Sequence, residues 1–136
     1  MELPVFPGEQ WGIHFTHSLY RVAQEEIYQV DRHGGVVLKE VNFASYPAAL
    51  YYSENPPQGF VREDGCWKIK NIDSPVSIVR FKVGYTTDCY LMIKGIKIYF
   101  KTLADGGESL VFTVRRASLV KYLYSAVLLK FRNYLM

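Results

Sequence analysis

His17 and Glu26 are the residues of this chain whose types and spacing could do chemistry. They sit in two segments, residues 13–18 and 25–30, that read as strands joined by a short connection. Strand side chains alternate with period two, so Ile13, Phe15 and His17 share one face while His14, Thr16 and Ser18 share the other. An antiparallel pairing that sets Ile13 opposite Val30 and Phe15 opposite Tyr28 also sets His17 opposite Glu26 and Ser18 opposite Glu25. Slipping by one residue would place Phe15 against Gln29 and waste an apolar position. An imidazole beside a carboxylate can close a core as a hydrogen-bonded pair, contact a ligand or partner, or recruit a loop residue into a metal site.

The same alternation argues against catalysis. His17 and Ser18 are neighbours on one strand and point to opposite faces, so a base and a nucleophile there do not meet. No catalytic residue is expected. His14 and His17 are three apart and also face opposite ways, unlike the i, i+4 pair that serves on a helix. No metal ligand set and no cofactor is assigned.

The elements that must position these residues are strands. The chain has 136 residues, enough for one domain with a single core. Hydrophobic residues make up 49% and charged residues 21%, the balance of a globular chain. Eleven Tyr and eight Phe favour β-structure. Turn signals recur: Gly34 and Gly35, Asp64 and Gly65, Lys94 and Gly95, Gly106 and Gly107. A third strand is expected over 36–46, with Val37, Val41 and Phe43 on one face and Glu40 and Asn42 on the other, ended by Pro47. Residues 48–52, between proline sites, read as an apolar loop over a sheet edge or as a contact surface. Later strands are expected over 60–62, 66–70, 78–83, 89–93, 96–103 and 110–114. The fold class is therefore an all-β antiparallel β-sandwich or flattened barrel of about eight or nine strands, with one C-terminal helix over 118–136 capped by Ser118.

The net charge of +3 lacks Arg-rich clusters outside the C-terminus, so no nucleic-acid partner is expected. Cys66 reads as outward and Cys89 as inward, which argues against a disulfide between them. The first residues lack a basic and an apolar signal region, so the chain reads as cytoplasmic or as one from which an N-terminal segment was removed. The segment 118–136 is apolar around most of a helical circumference, with Lys121, Ser125 and Arg132 in a narrow polar sector. It is too short and too charged to span a bilayer, so it is expected to contact a membrane surface, a transporter subunit or a second copy of the chain.

Thr16, His17 and Ser18, then Glu25 and Glu26, then Gly34 and Gly35 with a strand ending in Ser45 and Tyr46 resemble a known pattern. It is that of a bacterial family of small domains of unknown function encoded beside TRAP-type transporters of the TAXI class. The likeness runs on through Asp64, Gly65, Cys66 and Trp67. Two departures stand out: Ala23 and Gln24 where the family has Pro before its Glu, and Pro47 and Ala49 at its two glycines after the aromatic. The resemblance implies a membrane-associated, extracytoplasmic setting with transporter subunits as partners, and no reaction. The function it implies is a non-catalytic accessory or binding module. The ligand- or partner-binding residues expected on these grounds are His17, Ser18, Glu25, Glu26, Ser45 and Tyr46. The alternative is a small-molecule- or metal-binding domain, with catalysis left open, centred on His17 and Glu26.

Overall fold

The structure is a computed structural model that describes residues 1–52, 60–121 and 123–124. It contains β1 (Gln10–Thr16), β2 (Ala23–Val30), β3 (Val36–Phe43), α1 (Tyr46–Tyr52), β4 (Phe60–Glu63), β5 (Cys66–Ile69), β6 (Ser74–Val76), β7 (Val79–Lys82), β8 (Tyr90–Ile93), β9 (Ile96–Tyr99) and β10 (Ser109–Phe112). A single 3-10 turn, Phe100–Thr102, follows β9. The large sheet runs β4-β5-β3-β2-β1-β8-β9, with β6 also paired to β3, and a two-stranded sheet joins β10 to β7. Among the described residues every pairing is antiparallel and the large sheet keeps two free ends, so the fold is sandwich-like and all-β rather than a closed barrel.

Both layers on the inner face of the large sheet are apolar. Val79, Phe81, Leu110 and Phe112 of the small sheet pack on Trp11, Ile13, Tyr28, Leu91 and Ile93. Beside them, Ala48 and Ala49 of α1 pack on Val41, Phe43 and Ile69. This burial is the main stabilising term of the fold. Among the described residues, no second layer of strands covers the outer face of the large sheet.

The first hairpin keeps the expected faces but not the expected register. Trp11 stands opposite Tyr28, Ile13 opposite Glu26 and Phe15 opposite Gln24. Two things set this. The turn after β1 is tight, since the His17 amide donates to Val22 O at 2.7 Å and the Arg21 amide to His17 O at 2.9 Å. β2 therefore begins at Ala23. In addition, Trp11 belongs to β1 and stacks on Tyr28 at 4.6 Å, while Phe15 packs on Phe81 of the other sheet instead.

A bulge between β2 and β3 corrects a second expectation. Ile27 stands opposite Glu40 and Tyr28 opposite Leu38, so one residue of β3 is extra. The bulge reverses the parity of β3. Val36 and Val41 both reach the core, whereas Val37 does not join them. A third correction concerns 48–52, which is helix rather than loop. Ser45 Oγ accepts the Ala48 amide at 3.4 Å, and Pro47 sits in the first turn, where its missing N–H costs no helical bond.

The Asp64 and Gly65 turn and the Lys94 and Gly95 turn carry positive φ at both central residues, as type I′ hairpins require. Cys66 and Cys89 are free thiols. At the C-terminus Ser118 Oγ accepts the Lys121 amide at 3.3 Å, and residues 119–121 and 123–124 are helical. The remainder of the expected 118–136 helix lies outside the described residues.

Candidate functional site

The expected site residues are not brought together. His17 lies in the turn beyond β1, where its Nδ1 accepts the amides of Leu19 at 3.2 Å and Tyr20 at 3.3 Å. Its ring packs against Tyr20 and Tyr51. Ser18 is exposed in the same turn. Ser45 caps α1, and Tyr46 packs on Trp67 at 4.7 Å. Glu25 and Glu26 point to opposite faces of the large sheet, and the expected pairing of His17 with Glu26 does not form, because the register carries Ile13 to Glu26.

The carboxylate that does meet an imidazole is Glu25. On the outer face, Tyr90, His14, Glu25 and Asn42 form one cross-strand row from β8 through β1 and β2 to β3. His14 Nε2 lies 2.9 Å from Glu25 Oε1, which assigns the ring proton to Nε2. Asn42 Nδ2 donates to Glu25 Oε2 at 3.2 Å. The Tyr90 ring stacks on His14 at 4.5 Å with planes 14° apart, and Lys97 Nζ stands 4.3 Å from the centroid of the Tyr90 ring. Gly12, on the same face of β1, makes the room. A Cβ there would stand 3.0 Å from Glu25 Oε1 and 3.2 Å from Ile27 Cδ1. Its absence lets the His14 and Glu25 side chains lean together.

Beside this row the outer face sinks into an open depression of about 260 Å³. Its lining includes His14, Glu25, Asn42 and Tyr90, with Thr16, Ala23, Ala44, Cys66 and Asp88. The cause is side-chain size: Thr16, Ala23 and Ala44 occupy the outward positions one step along β1, β2 and the end of β3, and none reaches as far as His14 or Glu25. Asp88 is held at the margin by Lys101 Nζ at 3.0 Å. Asn42 is 9% exposed, and its Oδ1 is buried without a hydrogen-bond partner. A buried acceptor left unpaired is costly, and this one is covered by the protein rather than open to the depression.

Glu26 shows the opposite environment. It stands between Ile13 and Val41 in a buried cross-strand row on the inner face. The Tyr28 hydroxyl donates to it, and Gln24 Nε2 lies 3.5 Å from its Oε1. Burial holds its carboxyl above the usual carboxylate range, against the lowering effect of the Tyr28 hydrogen bond. The Tyr28 and Tyr52 hydroxyls are pushed up as well, by burial first and then by the Glu26 charge. Gln24 Oε1 is buried without a partner. Turning the Gln24 amide over would bring that oxygen to Glu26, where a protonated carboxyl could donate to it.

Sequence reasoning missed His14, Asn42, Tyr90 and Asp88. Gly12 was the available signal, since a glycine inside an otherwise apolar strand marks a close approach. Among the described residues no group of three His, Cys, Asp or Glu side chains is placed to hold a metal ion. Nor is any helix among them long and apolar enough to cross a membrane.

No curated protein and no solved structure matches the chain. The family model of a domain of unknown function, DUF1850, matches residues 12–100, from Gly12 through β9. Every residue named above as lining the depression falls within that span. The chain belongs to the DUF1850 family.

Proposed function

We propose that this chain is a non-catalytic binding module that takes a small ligand on the outer face of its large sheet, as an accessory to a TRAP/TAXI solute transport system. The observation that carries the binding part is the open depression itself, lined by the hydrogen-bonded row of His14, Glu25 and Asn42. The transporter setting rests on the resemblance of the Thr16, His17 and Ser18, Glu25 and Glu26, and Ser45 and Tyr46 segments to domains encoded beside such transporters.

The non-catalytic part rests on the resemblance, which implies no reaction. Partners are transporter subunits, with a membrane surface or a second copy met through the 118–136 segment, of which Leu119, Val120, Leu123 and Tyr124 are exposed. The setting proposed is the extracytoplasmic face of the membrane.

The test is a thermal-shift panel of small organic solutes on the whole chain, alongside co-purification with transporter subunits. A solute that stabilises the wild type and fails to stabilise Ala44→Leu, which fills the depression, is the expected result. A panel in which no solute raises the midpoint would contradict the binding reading. Absence of transporter subunits from the co-purified material would contradict the setting.

A further inference from the structure

The strands that leave one side unpaired are not equally guarded. Among the described residues, β4 carries Arg62 and Glu63, β6 carries Pro75, β7 carries Arg80 and Lys82, and β9 carries Lys97. Charges and prolines on an edge keep it from pairing with another chain. β10 carries neither, and Thr113 and Val114 continue its run without charge. The Val83 amide donates to Glu108 O at 2.8 Å, so in the register of β7 and β10 the amides and carbonyls of Leu110 and Phe112 turn to β7. Those of Ser109 and Val111 turn away, and among the described residues they meet no other backbone. The Val111 side chain is 50% exposed, while Leu110 and Phe112 pack on the core. An unpaired row of backbone groups beside an exposed valine is what an added strand recognises.

We propose that β10 pairs antiparallel with β10 of a second copy of the chain, across a two-fold axis at Val111. The two-stranded sheet then becomes one of four strands, where two strands alone are marginal. The second copy follows from self-complementarity, which a two-fold contact requires. With Val111 opposite Val111 of the second copy, Leu110 meets Phe112 of that copy and Ser109 meets its Thr113. Apolar faces apolar and hydroxyl faces hydroxyl. A slip of one residue would set inward Phe112 against outward Val111 and lose the match. In the matched register Glu108 lies diagonal to Arg116 of the second copy. Both residues are exposed, and neither has an ion pair among the described residues, although Glu108 Oε2 accepts the Asp105 amide at 2.7 Å. The contact uses no residue of 118–136 and none that lines the depression.

Sedimentation equilibrium of the whole chain tests this, read up to about 1 mM because so short an edge sits at the low end of interface size. A monomer–dimer equilibrium is expected. Val111→Lys sets lysine against lysine at the axis and should weaken the dimer by roughly tenfold or more. Hydrogen exchange of the wild type is the second measurement, and it decides where Val111→Lys fails to fold. Protection of the Val111 amide should rise with chain concentration. A chain that stays monomeric throughout overturns the proposal. So does a dimer that Val111→Lys leaves at its wild-type affinity, or one whose formation leaves exchange at Val111 unchanged, since either result puts the contact elsewhere.

Discussion

Glu25 and Glu26 are neighbours in sequence with the same side chain, and one step along β2 gives them opposite chemistry. Glu25 faces outward, with His14 at one carboxylate oxygen and Asn42 at the other, beside an open depression. Glu26 faces inward, between Ile13 and Val41, with one hydroxyl and one distant amide for company. The first carboxylate has its hydrogen bonds supplied by its row. The second is starved of them, and burial raises its carboxyl instead. The lesson is that face, not residue type, decides which acid can serve a ligand and which is part of the core.

The largest effect on this contrast is expected from Gly12→Val. The new side chain would crowd the Glu25 oxygen and Ile27, and should cost about 1–3 kcal/mol of stability. Urea unfolding checks it, and NMR of the His14 ring should show its contact with Glu25 lost. An unchanged unfolding midpoint would mean that the close approach at Gly12 is not needed.

Next is a pair of identical substitutions with opposite expected signs. A carboxyl raised by burial keeps a proton in the folded chain that the unfolded chain releases. Stability from Glu26 is therefore full below the ordinary carboxylate range and is lost as pH rises through the raised value. Glu26→Gln should remove that loss, raising stability at neutral pH and flattening its dependence on pH. Glu25→Gln should instead cost about 1 kcal/mol, since it weakens the contact with His14. Unfolding midpoints of both variants across acid to neutral pH separate the two. Equal effects at both positions would break the contrast.

The smallest effect is expected from Tyr90→Leu, which removes the stack on His14 and the ring beneath Lys97. It should cost about 0.5–1 kcal/mol. Thermal midpoints measure it, and a loss several times larger would mean that Tyr90 holds more of the sheet than its row.

The faces of the first hairpin were legible in the sequence, because alternation fixes them whatever the register. Ile13, Phe15, Tyr28 and Glu26 do share the inner side. The register was not legible, because it depends on the tight turn after His17 and on Trp11 belonging to β1. That gap moved the imidazole and carboxylate pair from His17 and Glu26 to His14 and Glu25. Val37 was misplaced for a similar reason, since a bulge leaves no mark in the local pattern. Pro47 read as a breaker, yet the first turn of a helix accepts it, and Ser45 was already a good cap. Turns with Asp64 and Gly65 or Lys94 and Gly95 were readable because positive φ demands particular residues.

The claim that the outer row serves a ligand and the inner cluster serves the core is tested most directly by NMR. Amide shifts of the whole chain would be mapped during titration with a solute that raises its thermal midpoint. The expected result is perturbation at His14, Ala23, Glu25, Asn42 and Ala44, with Glu26 and Tyr28 unmoved by comparison. Perturbation centred on Glu26, Tyr28 and Tyr52, or on His17, Tyr20 and Tyr51, would contradict it.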